Sequence, residues 1–357
     1  MERYIGSDVH ATSTTFCVLS AKGKLVRSDV VETNGQARVE YLKLIPGNLH
    51  LCIDEGLCSQ WLVEILSPYV AEILVYRARW TPGPKNDAID ARGLAEKIRT
   101  GTVGRPVYKD PRRFTALRLY AHTYAKVTQD VARTKIRLKS LLRGRGIPCS
   151  GEAVYSIKTR EAIIRKLPEA IATAAEILGL ELDRLREIKT EAEKIMVRES
   201  HRHKISRILE TAPGMGPIRV AQLLPVVITP HRFRTKRPFW AYCGFGVVVR
   251  SSSDWILADD GWVRTKLNRT RGLNREYNHT LKAIFKAAAT TIIVHTQSHP
   301  LKDDYQRLLR NGTKPTLAKV TLARKIAAIV LAMWKREERY RPEIYRQAMP
   351  SEAMNRN

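Results

Sequence analysis

Apolar and polar positions alternate in short runs through the first part of the chain and then settle into a helical rhythm. Residues 4–10, 14–20 and 24–32 are β-rich runs separated by turns, the second turn carrying Lys22-Gly23. A helical stretch at 37–44 follows, then a compact apolar strand at 49–54, a helix at 61–66 and a strand at 72–76. Three strands in a meander, succeeded by strands alternating with helices, predict a mixed α/β domain. From 111 to about 207 the period is helical almost throughout, with Gly144-Arg145-Gly146-Ile147-Pro148 as the main turn signal. Leu117, Tyr120, Tyr124, Val127, Val131, Ile136, Leu138 and Leu142 recur at helical steps along one arm, and residues 162–196 repeat the style. Two such arms predict an antiparallel coiled-coil-like pair or a helical bundle. Residues 317–334 are apolar nearly all round, which marks a core helix or an oligomer contact.

Charge changes this picture more than composition does. The 357 residues include 62 Lys and Arg against 35 Asp and Glu, a formal net charge of +27. Such an excess repels itself in a compact fold unless polyanions neutralise it, so nucleic acid is the first partner to consider. No apolar run approaches the ~20 residues that span a bilayer, and a strand-like segment directly after Met1 leaves no room for a signal peptide. The expectation is no membrane partner. Cys17, Cys52, Cys58, Cys149 and Cys243 are odd in number and never form a CxxC pair. Structural zinc and a disulfide framework are not expected, and a reducing cytoplasm fits. Between 131 and 150, Arg133, Lys135, Arg137, Lys139, Arg143 and Arg145 occur without an acid. A charge run is usually a solvated face, but in so basic a chain this one favours phosphate contact.

The acids of the first domain carry its candidate chemistry. Asp8 closes the first apolar strand, and Glu55 ends the fourth, in Leu51-Cys52-Ile53-Asp54-Glu55-Gly56. Asp87 and Asp90 open a helix three residues apart, a spacing that puts both carboxylates on one face. The order of elements is that of a ribonuclease H-like domain, in which the first and fourth strand ends lie side by side under the last helix. Four carboxylates would then converge, and their repulsion calls for divalent metal, with oxygen donors suited to Mg²⁺. Two such ions can activate an attacking oxygen and stabilise a leaving one in phosphodiester cleavage. Each acid alone has a plainer reading, since Asp at a strand end makes turns and Asp at a helix start caps it.

Further along, Ala212-Pro213-Gly214-Met215-Gly216-Pro217 between two helical runs reads as a helix-hairpin-helix, whose free backbone N–H groups can hold a phosphate, or as a plain helical hairpin. Residues 239–254 end in Ser251-Ser252-Ser253-Asp254, and residues 232–275 hold ten Lys and Arg against three Asp. Trp240, Tyr242, Trp255 and Trp262 interleave with these charges, a mixture suited to phosphate contact and base stacking, although core packing accounts for single aromatics equally well.

Asp8 after an apolar strand, Glu55 with Trp61 six residues on, and Lys85-x-Asp87-x-x-Asp90-Ala91-x-x-Leu94-Ala95 together resemble the DEDD transposases of bacterial insertion sequences. Asp54 stays open as a register alternative to Glu55. The resemblance implies a RuvC-like N-terminal domain with Asp8, Glu55, Asp87 and Asp90 as metal ligands and catalytic residues, taking Mg²⁺ or Mn²⁺ in its place. It also implies a structured bridge RNA as guide and DNA duplexes, donor and target, as substrates. A homo-oligomer, dimer or tetramer, would share active sites between subunits, in a nucleoid-associated bacterial protein. Phe245 to Asp254 is similar to the family motif that carries a DNA-attacking serine. Counting from Gly244 selects Ser252, but Phe245, Val247 and Ser253 depart from the pattern, so Ser251 and Ser253 stay open. The expected architecture is α/β plus α. Residues 1–108 form the RuvC-like nuclease domain, 109–206 a helical spacer, 207–345 a mostly helical transposase domain with the helix-hairpin-helix, and 346–357 a tail. Two other readings stand beside it: a Holliday-junction-type nuclease using the carboxylates and water, and a non-catalytic nucleic-acid scaffold.

Overall fold

The computed structural model describes residues 1–77, 86–104, 106–110, 112–149, 151–249, 255–259, 261–264 and 270–343. The chain divides into two compact units, Met1–Thr115 and Ala116–Asn357.

In the first unit the alternating runs become β1 (Glu2–Val9), β2 (Ser13–Ser20) and β3 (Leu25–Glu32), followed by α1 (Gly35–Lys43), β4 (Asn48–Asp54), α2 (Ser59–Leu66), β5 (Glu72–Tyr76) and α3 (Asp87–Arg99). The strands form one sheet in the order β3-β2-β1-β4-β5. The meander pairs antiparallel, while β1, β4 and β5 run parallel. The pleat sends alternate side chains to opposite faces. Ile5, Phe16, Val18, Leu51 and Ile53 pack on one face with Tyr41 and Leu42 of α1 and Leu62 and Leu66 of α2. On the other face, Cys17 and Leu19 meet Ala91 and Ala95 of α3, and Cys52 meets Leu94 and Ile98. Both faces are covered, as parallel strands require. The start of α3 is set by Asn86, whose side chain accepts a 2.8 Å hydrogen bond from Ile89 N. A cap of this kind stabilises a helix by about 1 kcal/mol.

The second unit opens with α4 (Thr115–Arg143), α5 (Ile157–Ile164) and α6 (Glu169–His201). α4 and α6 run antiparallel. Thr134 Oγ1 donates to Glu181 at 3.1 Å, and Tyr124, further back along α4, donates to Glu193, further on along α6. Leu138, Leu142, Cys149, Val154, Tyr155, Ile164, Ala175 and Leu182 fill the core at one end of the pair. The single arm expected over 162–196 is instead two helices. Pro168 stands at the N-cap of α6, where its missing N–H costs nothing but ends the continuity with α5. The basic stretch at 131–150 has partners within the fold. Lys135 pairs with Glu152 at 3.0 Å, Arg137 with Glu181 at 3.6 Å, and Lys139 donates to Gly151 O. Arg133 also pairs with Asp130 at 3.0 Å, so three of the six cations meet an acid at the surface of the helices.

The rest of the unit comprises α7 (Lys204–Leu209), α8 (Pro217–Val227), α9 (Lys236–Tyr242), β6 (Val247–Val249), β7 (Trp255–Ala258), β8 (Gly261–Arg264), β9 (Thr270–Leu273), α10 (His279–His295), α11 (Pro300–Arg310) and α12 (Pro315–Arg336). α12 is apolar all round because it is surrounded: Leu322, Ile326, Val330 and Trp334 are buried, and α7, α9, α10 and α11 all pack on it. α7 and α8 flank the Gly214 turn. Gly214 has φ +69°, and a Cβ there would collide with the Ala288 carbonyl of α10, so the turn is wedged against that helix. No helix among the described residues is long and apolar enough to cross a membrane.

Candidate functional site

The site begins with an absent side chain. Gly6 lies on the α3 face of β1, where a Cβ would overlap the carbonyl oxygen of Ala91 and stand 2.5 Å from Ala95 N. Backbone therefore rests directly on backbone, closer than any other residue at position 6 allows. Asp90 immediately precedes Ala91, and Asp87 lies one turn nearer the helix start. Asp8 follows Gly6 by two residues on the same face of β1. The contact at Gly6 thus sets the height of two helix acids over one strand acid.

The result is a tight group. Ligand atoms of Asp8, His10 and Asp87 all lie within 4.8 Å of one another. His10 Nε2 stands 3.2 Å from Asp8 Oδ2 and 3.3 Å from Asp87 Oδ1, bridging the two carboxylates. Asp8 is largely buried, whereas His10 and Asp87 are half exposed. Burial raises the Asp8 pKa, His10 opposes the rise, and the charges of Asp87 and Asp90 add to it. The His10 pKa is raised, first by the charge of Asp8 and then, against some desolvation, by Asp87. Asp90 therefore acts on Asp8 through its field, while Asp87 shares a partner with it. His10 escaped the sequence reading, which weighed carboxylates alone. The signal was present in Asp8-x-His10, since a spacing of two along a strand puts both side chains on one face.

Glu55 is placed differently. It sits one residue beyond β4, its N–H donating to Tyr76 O at 2.7 Å. Its carboxylate lies 3.7 Å from Arg77 Nε and 3.8 Å from Lys109 Nζ, and it is not one of the three clustered residues. The register of β1 with β4 pairs Gly6 with Cys52, so Asp54 has the pleat parity of Asp8 and points to the α3 face. Both residues of the Asp54-Glu55 pair thus stand at the strand end next to Asp8, one held by the pleat and the other by two cations. Ser251, Ser252 and Ser253 lie outside the described residues, as does Lys85.

The donor set suits a hard divalent cation. Carboxylate oxygens are the preferred ligands of Mg²⁺, and Mn²⁺ accepts an imidazole beside them. Burial is the first cause of the raised Asp8 pKa and the charges of Asp87 and Asp90 add to it, so a bound cation would stabilise a carboxylate that its surroundings disfavour.

Comparison with known proteins gives these features a context. A transposase family of the DEDD type, named for IS110, matches residues 5–146, the stretch that holds the cluster. The Transposase IS116/IS110/IS902 family matches residues 206–306. The Sinorhizobium fredii protein y4pF/y4sB, provisionally named a transposase, is 26% identical over 289 residues, covering 78% of this chain and 68% of that protein. A 44.8 kDa protein of insertion element IS116 from Streptomyces clavuligerus is 23% identical over 307 residues, covering 72% of this chain and 73% of its own length. Two matches to transposase families, over 5–146 and 206–306, and likeness to both relatives over more than two thirds of each chain agree: the chain belongs to the IS116/IS110/IS902 family of transposases.

Proposed function

We propose that this transposase cuts and rejoins DNA strands with two chemistries: a divalent-metal centre on a ribonuclease H-like, RuvC-like unit, and a serine nucleophile in the second unit. The observation that carries the reading is the Gly6 contact, which holds Asp87 and Asp90 over Asp8 and brings His10 between two of the acids. Asp8, Asp87 and Asp90, with Glu55 or Asp54 from the end of β4, are the residues that would hold Mg²⁺ or Mn²⁺. When bound, the metal would polarise a phosphodiester and lower the pKa of a bound hydroxyl or water. His10 bridges Asp8 and Asp87, whose charges raise its pKa, and it would have to yield at least one of these carboxylates to a metal bound there. Ser252, or its neighbours Ser251 and Ser253, would attack a DNA phosphodiester, forming a phosphoserine ester as one P–O bond breaks and a deoxyribose hydroxyl leaves; attack by such a hydroxyl would later rejoin the strands and release the serine. A bridge RNA as guide, and a homo-oligomer that shares its sites, complete the reading.

The test uses DNA carrying the ends of the element, with the full chain and its copurified RNA. Asp8→Asn and Asp87→Asn should lose Mg²⁺-dependent cleavage while DNA binding survives, because only the ligand is removed. Ser252→Ala should lose the covalent adduct on a denaturing gel. Cleavage that persists in both Asp variants refutes the metal assignment. An adduct that moves to Ser251 or Ser253 corrects the register, and cleavage without any of the three serines favours a simple water-using nuclease.

A further inference from the structure

The second unit carries an aromatic hairpin that the proposed chemistry does not employ. β6 pairs antiparallel with β9, and β7 and β8, which lie between them in sequence, pair antiparallel with each other. The β7–β8 ladder has the register Trp255↔Arg264, Ile256↔Val263, Leu257↔Trp262 and Ala258↔Gly261. Paired residues share a face, so Trp255, Leu257 and Trp262 stand together on one side of the hairpin. They are 59%, 70% and 67% exposed, whereas Trp334 in the core of the same unit is 7% exposed. Tryptophan is highly buried on average, and two that are bared side by side mark a surface made for contact.

Three facts select the occupant. The chain carries a net charge of +27, and residues 261–275 add Arg264, Lys266, Arg269, Arg271 and Arg275 without an acid. The acids of the region in sequence are Asp254, Asp259 and Asp260, outnumbered by these cations. A polyanion is therefore the complementary partner, and its flat apolar component would be a base. Trp255 and Trp262 are diagonal neighbours, a relation that sets residues about 7–8 Å apart, with Cβ atoms somewhat closer. That is about twice the ~3.4 Å spacing of stacked bases, room for one base between two indoles. Finally, the hairpin follows the Ser251-Ser252-Ser253 run directly in sequence.

We infer that the β7–β8 hairpin grips an unpaired segment of the DNA strand undergoing cleavage, stacking its bases on Trp255 and Trp262. The inference rests on the DNA-cleaving reading only for the choice of DNA as the strand. Aromatic platforms of this kind hold single strands with little sequence preference, because every base offers a π face.

The experiment is a titration of the full chain with short oligothymidylate, followed by quenching of tryptophan fluorescence and, independently, by anisotropy of an end label. Trp255→Ala and Trp262→Ala should each weaken single-strand binding by about fivefold or more, and the double variant by more than either. Trp→Phe at both positions should restore most of the affinity, and binding to a blunt duplex should change less than about twofold in all variants. Circular dichroism verifies that the variants are folded. Wild-type affinity in the folded double alanine variant overturns the proposal. So does a loss confined to an oligouridylate RNA, or a change of oligomeric state in place of a binding loss, which would make the face a protein contact. None of these readouts requires cleavage, Mg²⁺ or the serine, so the result stands apart from the fate of the proposed chemistry.

Discussion

The two faces of the five-stranded sheet are covered by opposite means. On the α1–α2 face, the side chains of Ile5, Phe16, Val18, Leu51 and Ile53 interlock with those of Leu42, Leu62 and Leu66. On the α3 face, the helix lands on Gly6, where no side chain intervenes. Interlocked side chains contribute stability in proportion to the area they bury, and neighbours can relax around a change. Backbone resting on backbone buries little extra area but fixes a distance, and it has no soft atoms to yield. The first face holds the unit together, and the second sets where Asp87 and Asp90 stand relative to Asp8.

Substitution at Gly6 should break this division most sharply. Gly6→Ala should reduce Mg²⁺-dependent cleavage by about 100-fold, the scale expected when reacting groups move by about 1 Å. It should also cost about 1–3 kcal/mol or more in stability, because backbone must shift to admit the Cβ. Leu51→Ala on the opposite face should do the reverse. It should cost about 2–5 kcal/mol in denaturant unfolding, yet leave cleavage per folded molecule near the wild-type value. Equal losses of activity in both variants would erase the distinction between the faces.

A smaller effect comes from the Asp8 carboxyl. Its pKa is raised by burial and by Asp87 and Asp90, so in the metal-free protein it contributes stability below the ordinary Asp range that is lost as pH rises through the raised value. His10 has a raised pKa too, and its contribution is present below the ordinary His range and lost as pH rises through its own raised value. Metal-free protein should therefore melt at a lower temperature at alkaline than at mildly acidic pH. Asp8→Asn should raise the melting temperature at neutral pH, a gain that disappears in acid where the wild-type carboxyl is protonated. Mg²⁺ should close the same gap in the wild type and do nothing for the variant. The smallest effect expected is that of Asn86→Ala, which removes the α3 cap. A loss of about 1 kcal/mol, with nearly unchanged cleavage, would show that α3 is positioned by Gly6 and not by its cap.

Much of this arrangement was legible in the sequence, for local reasons. Alternation at 14–20 and the apolar run at 49–54 located β2 and β4 to within a residue, since period-two patterning is a property of neighbours. Asp87 and Asp90 could be placed at a helix start by their spacing, and α12 announced its burial by being apolar all round. What escaped was long-range. The meeting of Gly6 with Ala91 has no local signature, because nothing near position 6 says that a helix far along the chain needs that space. The acids facing the 131–150 basic stretch, Glu152 and Glu181, likewise arrive through folding. His10 was different: the pattern Asp8-x-His10 was readable, and attention to carboxylates passed over it. Position 55 shows the limit of counting, since the pleat favours Asp54 while the ion pairs with Arg77 and Lys109 hold Glu55 at the same strand end.

The central claim is that Asp8 and Asp87, held together by the Gly6 contact, form a divalent-metal site. Titration of the full chain with Mn²⁺, read by the loss of the free-ion electron paramagnetic resonance signal, tests it most directly. The account predicts saturable binding by the wild type that competes with Mg²⁺, weakened at least about tenfold in Asp8→Asn and in Gly6→Ala, in line with the cost of losing or misplacing ligand support. Wild-type Mn²⁺ affinity in both variants would contradict it.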